Sequence, residues 1–413
     1  MIDVSVIIPV YNCESSIGRA IESVLNQKDI SVEVICIDDG CTDHTCMVVD
    51  HYSFEDECVR LIHQENGGPG KARNEGIQCA RGNYIAFLDA DDYYIDETAL
   101  SKMVSKCKAY HVSICGAVMS LCENGIVRHS GTYSDLFAMS QMGILKYKDY
   151  QFDYDFFSFI YQRDLLLDYN VRFPESYYYE DPPFMVKAFY HADQFVMVDV
   201  DYYCYSMTGV VKTIAGERCP DIVDGLRMNM LFALENNMQV LYQNTVDRLL
   251  FEYGDWIYRN IDIVEGLREK IEVMLPILEQ SEMNMYSQRL LMRKYKRDYQ
   301  SYLNSVIKNY AFFYIFGAGK VSDIFIQYIR QVDEIESMFA GYVVSHVKER
   351  DIDNRVMDLS TYAMLRDKGL LVIAVSGIYI GEVIRSLKKY SIDHFVILDI
   401  PFLCDIQNSS RRP

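Results

Sequence analysis

The sequence predicts an α/β fold: a doubly wound, mostly parallel sheet, then a helical segment and a small Rossmann-like α/β unit. Three observations predict it. Between Val4 and Leu88, short β-branched runs alternate with stretches whose apolar residues fall at helical spacing. Such alternation means right-handed crossovers between parallel strands. Glycine and proline then become scarce over about 220–310, and a strand, a glycine turn and a helix return from Phe312.

Val4–Val10 reads as a strand covered on both faces. Ser15 or Ser16 offers an N-cap to a helix carried by Ile17, Ala20, Ile21, Val24 and Leu25. Residues 32–37 give a second strand ending in Asp38, Asp39 and Gly40, followed by a short helix over about 42–51. Residues 59–63 are a third, weaker strand. Gly67, Gly68, Pro69 and Gly70 break the chain before a helix over 71–80, with Gly82 beyond its end. Residues 84–88 are a fourth strand, an apolar run that stops in Asp89, Asp91 and Asp92. Residues 110–215 are less regular, with strands at 112–119 and 194–198 around an aromatic-rich section at 147–190.

Over about 220–310, Ile222, Leu226, Leu231 and Leu234 recur at helical spacing, as in an arm or bridge. Strands at 312–316, 338–344, 371–375 and 394–398 make the second α/β unit. Its Gly317-Ala318-Gly319-Lys320 turn is a partial phosphate-loop fingerprint, and the second strand lacks the acid a dinucleotide site wants. An interaction or packing module fits it better. The expected division is 1–215, 216–310 and 311–405, with a frayed tail at 406–413.

Half of the 413 residues are hydrophobic and 24% are charged, a globular profile long enough for two or three domains. A formal net charge of −19 argues against a protein that coats nucleic acid, but not against one nucleotide held through a metal. The twelve cysteines form no Cys-x-x-Cys pair, which suits reduced cytosolic thiols. No charged leader with an apolar segment opens the sequence, and no apolar run approaches the ~20 residues of a membrane span. The expected location is cytoplasmic, with any membrane contact peripheral and on the inner face. Arg289, Arg293, Lys294, Lys296 and Arg297, interleaved with Leu290, Leu291, Met292 and Tyr295, read first as a solvated helix face. Contact with anionic lipid or a lipid-diphosphate acceptor is the other reading.

Three strands finish in polar residues: Tyr11 and Asn12, Asp38 and Asp39, and Asp89 with Asp91. In an open α/β sheet those ends share the edge where ligands bind. Asp-x-Asp there suits a hard divalent cation, since carboxylate oxygens match Mg²⁺ or Mn²⁺ better than imidazole or thiolate does. The competing reading is a turn whose acids cap a helix over about 97–109, and Asp92 reads as such a cap. Asp38-Asp39-Gly40 has its own competing reading as a tight turn. Lys71 and Arg73 fall in the first turn of the helix after the glycine break, where backbone donors and the positive dipole end suit an anion. An ordinary solvated pair of cations is the alternative there.

Four ordered motifs carry a resemblance. Val4–Val10 with Tyr11 and Asn12, Asp38-Asp39-Gly40, Gly70-Lys71-Ala72-Arg73-Asn74-Glu75-Gly76 and Leu88-Asp89-Ala90-Asp91-Asp92 resemble the family 2 glycosyltransferases of the GT-A fold, over about residues 2–215. The resemblance implies inverting transfer of a sugar from a nucleotide diphosphate sugar, most plausibly UDP-linked, to an acceptor hydroxyl, with Mg²⁺ or Mn²⁺. It implies that Tyr11 gives the base a flat contact, that Asp39 reads the uracil edge, and that Pro9 and Val10 line the same pocket. Lys71 and Arg73 face the pyrophosphate. Asp91 is the main metal ligand, with Asp89 on the ribose or on the metal through water.

Glu180-Asp181 matches the family's Glu-Asp pair, so Asp181 is the expected base that takes the acceptor's proton. Glu180, read as pointing the opposite way in an extended segment, orients the acceptor or caps a helix from about Phe184. A cap ahead of Pro182 and Pro183 is the competing reading of Asp181. Residues 208–213 fall where the family places a mobile loop, with Lys212 reaching for the phosphates. Tyr177 to Tyr179 suit sugar faces or a core, and His191 reads as packed. Cys41 stands where serine is frequent. The Gln-x-x-Arg-Trp motif of processive synthases is missing, and the lone Trp256 sits elsewhere. The pattern resembles bacterial enzymes of capsular, exopolysaccharide or cell-wall glycan synthesis, with a glycan or lipid-linked glycan as acceptor. A sugar-phosphate nucleotidyltransferase would show a glycine-rich, Arg-containing signature where this chain has Tyr11-Asn12-Cys13-Glu14-Ser15. A non-catalytic glycan-assembly subunit would have been flagged by loss of Asp91 or Asp181.

Overall fold

The computed structural model describes residues 2–123, 126–129, 143–207 and 216–278 apart from 262, and most of 303–398. The chain divides into two compact units, Met1–Tyr242 and Gln243–Pro413.

In the first unit β1 (Val4–Val10), β2 (Val32–Asp38), β3 (Val59–His63) and β4 (Tyr84–Phe87) pair in parallel in the order β3-β2-β1-β4. Helices α1 (Ile17–Leu25), α2 (Thr45–Glu55) and α3 (Gly68–Cys79) are the crossovers. Six of the seven β1 side chains are buried, which is why that strand is β-branched on both faces. Each such Val or Ile contributes about 1.5–3 kcal/mol of burial. The register pairs Val10 with Asp38 and Asp38 with His63, so three strand ends come level on one edge.

The same sheet continues through β5 (Tyr93–Tyr94), β6 (Ile114–Glu123), β9 (Phe159–Gln162) and β10 (Gln194–Met207), in the order β4-β9-β6-β10-β5. Strands β7 (Ile126–His129) and β8 (Leu145–Lys146) pair with β6 and β10 off this path. Strand β9 is antiparallel to both β4 and β6, whereas β6 and β10 are parallel. The aromatic-rich section is core: Phe87, Phe156 and Phe184 surround Phe173, whose ring stacks on Phe184 at 3.8 Å.

Two local expectations change. Helix α3 starts at Gly68 rather than Lys71, so Lys71 closes its first turn and only Arg73 lies past it. Asp92 caps nothing: α4 (Ala99–Tyr110) has Thr98 at its N-cap, and the buried Asp92 carboxylate is bonded to β10 instead. Helix Cys219–Glu235 belongs to the first unit and packs on helix Asp181–Ala192. Gly225 makes that approach possible, because a Cβ there would lie 2.7 Å from the Tyr179 carbonyl oxygen.

The second unit holds β11 (Phe313–Phe316), β12 (Phe339–Val344), β13 (Val356–Asp358), β14 (Leu370–Ile373) and β15 (Phe395–Ile397). They form an all-parallel sheet in the order β13-β12-β11-β14-β15, the doubly wound arrangement with its first strand central. Gly317, at φ +107°, turns β11 towards helix Lys320–Ile329. Residues 289–297 and 406–413 lie outside the described residues. Among the described residues no helix is long and apolar enough to cross a membrane.

Candidate active site

A cleft of about 740 Å³ opens at the carboxyl ends of β1, β2 and β4. Pro9, Val10, Tyr11, Asp39, Asp89 and Asp91 all line it. The strand-end acids therefore share one cavity. Asn66, Tyr177 and Arg218 line it from more distant parts of the chain.

Asp39 is 4% exposed and its carboxylate is heavily used. Oδ1 accepts from Gln64 Nε2 and from the Gly67 N–H, each at 2.7 Å, and Oδ2 accepts from the Gly68 N–H at 2.9 Å. It thus caps α3 from another element, which is why that helix starts early. Two of the donors at that helix start, the Gly67 and Gly68 N–H groups, are thus taken by Asp39. Gly68 needs its glycine: φ is +86°, and a Cβ would lie 3.1 Å from the Tyr177 ring.

Arg73 is buried, against the expectation of a cation reaching out to pyrophosphate. Its Nη1 donates to Glu180 Oε1 at 2.7 Å and its Nη2 to Asp89 Oδ1 at 2.9 Å. The guanidinium also lies over the rings of Phe156 and Phe173, at 4.7 and 5.3 Å. Burial works against its charge, yet Asp89 and Glu180 outweigh that and push its pKa up. Arg73 touches the cleft but is a clamp that fixes two carboxylates. Lys71 is not among the lining residues, and its Nζ donates to the Glu65 carbonyl at 3.3 Å.

Glu180, held by Arg73, is followed directly by Asp181, the pair expected on the acceptor side. Glu180 has helical backbone angles rather than extended ones, and its side chain makes no capping hydrogen bond. Asp181 opens helix Asp181–Ala192, is half-buried, and is not among the cleft-lining residues. Its charge helps to raise the pKa of the buried Tyr161, after burial itself. Lys212 lies outside the described residues. Arg218, the next cation along, lines the cleft with its guanidinium 4.2 Å from the centre of the Tyr177 ring. His191 is packed, stacked on Tyr169 at 4.2 Å.

Asp91 has no hydrogen-bond or ion-pair partner for its carboxylate among the described residues; only its carbonyl accepts, from Arg19 Nη2 at 2.6 Å. Asp89 commits Oδ1 to Arg73. Carboxylate oxygens left over in a cleft are the donor set that Mg²⁺ or Mn²⁺ takes. Behind them, Asp92 accepts from the Tyr203 hydroxyl and the Ser206 N–H, each at 2.7 Å. Burial first, and then the Asp89 charge, push its carboxyl up to about 7.

Sequence reasoning missed the Arg73 clamp and undervalued Tyr177 and Arg218. Three consecutive tyrosines give no local sign of which one faces a ligand, and Tyr177 is singled out only by long-range contacts. Its hydroxyl donates to Asn66 Oδ1 at 2.7 Å, and its N–H donates to Asp221.

Residues 5–168 match glycosyl transferase family 2. The uncharacterized glycosyltransferase EpsJ of Bacillus subtilis is 32% identical over 215 residues, 49% of this chain and 60% of that protein. A poly(ribitol-phosphate) beta-glucosyltransferase of Bacillus spizizenii is 40% identical over 101 residues, 24% of this chain and 16% of that one. The chain thus spans less than two thirds of either relative. The structure of S. aureus TarS 1–349 in complex with UDP-GlcNAc is similar in fold, with a TM-score of 0.58 at 20% identity, over 74% of this chain and 92% of that one. The ordered motifs of this chain, its strand order and the acids gathered at its strand ends agree with that match, and residues 5–168 are similar to glycosyl transferase family 2.

Proposed function

We propose that the chain moves a sugar from a nucleoside diphosphate sugar, UDP-linked, to an acceptor hydroxyl with inversion at the anomeric carbon. The acceptor is a glycan or lipid-linked glycan in bacterial surface polysaccharide synthesis. The work is done in the cytoplasm, with peripheral contact at the inner face of the membrane. One observation carries the reading: Asp39, Asp89 and Asp91 face a single cleft together with Tyr11 and Tyr177.

Tyr11 is 56% exposed and offers its ring to the base. Asp39 uses three acceptor positions on Gln64, Gly67 and Gly68, and a carboxylate has about four, which leaves one for the imide N–H of uracil. Arg218 supplies the positive charge for the diphosphate that sequence reasoning gave to Lys71 and Lys212. Asp91, with the second oxygen of Asp89, would hold Mn²⁺ or Mg²⁺. Such an ion, when bound, neutralises charge on the departing nucleoside diphosphate. Arg73 keeps Asp89 and Glu180 in fixed rotamers. Asp181 takes the acceptor's proton as the hydroxyl attacks.

A thermal-shift panel of nucleotides and nucleotide sugars, each with and without Mn²⁺, tests this on wild-type and Asp181→Asn protein. UDP and UDP-sugars should stabilise both proteins in a Mn²⁺-dependent way, while sugar transfer should fall by about 10²-fold or more in the variant. Stabilisation by other nucleotides but not by UDP would reject the donor. Full turnover in Asp181→Asn would reject the base.

A further inference from the structure

Beside the cleft lies a second group of ligand-type side chains that the proposed transfer does not use. One ligand atom each from Asp38, Cys46 and His63 lies within 4.8 Å of the others. They come from three elements: the end of β2, helix α2 and the end of β3. His63 Nδ1 is 2.7 Å from Asp38 Oδ2, and the Cys41 N–H donates to Asp38 Oδ1 at 2.8 Å. Asp38 is buried, Cys46 half-buried and His63 exposed, so the group is anchored on one side and open to solvent on the other.

We propose that Asp38, Cys46 and His63 bind a borderline-soft divalent cation of the Zn²⁺ class, with one coordination position left to water. One carboxylate oxygen, one sulfur and one imidazole nitrogen make a donor set that Zn²⁺ accepts and that Mg²⁺ and Mn²⁺ do not favour. Bonds of about 2.0–2.3 Å to a tetrahedral ion set neighbouring ligand atoms roughly 3–4 Å apart, so the present spacing closes with small side-chain movements. On binding, the Cys46 thiol loses its proton to solvent, and the hydrogen bond between His63 and Asp38 gives way to two metal bonds. The ion shares no ligand with Asp89 or Asp91. It ties the end of β2, next to Asp39, to α2 and β3, and so stiffens one wall of the cleft without entering it.

The test uses the full-length protein with Zn²⁺ alone in calorimetry, and Co²⁺ as the spectroscopic probe. Wild-type protein should bind Zn²⁺ and, with Co²⁺, show a thiolate-to-metal charge-transfer band. Cys46→Ser should lose the band. Both Cys46→Ser and His63→Ala should weaken Zn²⁺ binding more than about tenfold, since even outer-shell partners cost that much. Asp91→Asn should bind Zn²⁺ as wild type does. Should Cys46→Ser fail to fold, His63→Ala decides alone, because its side chain is exposed. A missing Co²⁺ band, unchanged Zn²⁺ affinity in His63→Ala, or loss of Zn²⁺ binding in Asp91→Asn each overturns the proposal, and none of them bears on UDP binding.

Discussion

A guanidinium with almost no solvent contact must find its counter-charges within the protein, and Arg73 finds Asp89 and Glu180, residues 16 and 107 positions away. Such a pairing cannot be read locally, which is why the sequence suggests a solvent-facing cation. Asp92 was misread for the same reason, since its partner Tyr203 stands 111 residues further on. Its burial has a pH consequence. A carboxyl held at about 7 when folded, against about 3.9 ordinarily, binds its proton more tightly in the folded state. Its contribution to stability is full below about pH 4, declines as the pH rises towards 7, and is absent above that. In metal-free buffer Asp92→Asn should therefore flatten the fall in stability between pH 5 and 8, read from urea midpoints. An unchanged slope would move the titration to another group. By contrast, Tyr11, Asp39, Asp89 and Asp91 were legible as cleft residues, because each lies within three residues of the end of an apolar run and the sheet edge collects such positions.

Strands β1, β2 and β4 were legible because strands buried on both faces are mostly apolar, which leaves a nearly continuous run in the sequence, broken here by Ser5 and Glu33. The start of α3 was not, since its cap is Asp39, 28 residues before the Gly67 N–H it receives. Nor was β9, whose place between β4 and β6 depends on pairing with Tyr84 and Ile114 on either side. Packing of α3 on β1 turns on one small residue. A Cβ at Gly76 would fall 2.4 Å from Ile7 Cγ2, so Gly76→Ala must push helix and strand apart. The expected cost is about 1–3 kcal/mol by chemical denaturation. Stability equal to wild type would mean that the contact relaxes freely.

At the scale of the molecule, a net charge of −19 sets the problem the cleft has to solve. A diphosphate approaching it meets Asp89 and Asp91, with Arg73 already neutralised by two carboxylates and Arg218 as the cation in the lining. Electrostatics of that kind repel the ligand unless a divalent cation intervenes. The place we propose for that cation is the Asp91 carboxylate, for which no hydrogen-bond or ion-pair partner is found among the described residues. Isothermal titration of UDP into wild-type and Asp91→Asn protein, with and without Mn²⁺, tests this directly. Mn²⁺ should strengthen UDP binding to wild type by about tenfold or more and leave the variant's binding unchanged, as loss of a metal ligand requires. UDP binding that ignores Mn²⁺ in wild type, or that responds to it equally in Asp91→Asn, would contradict the account.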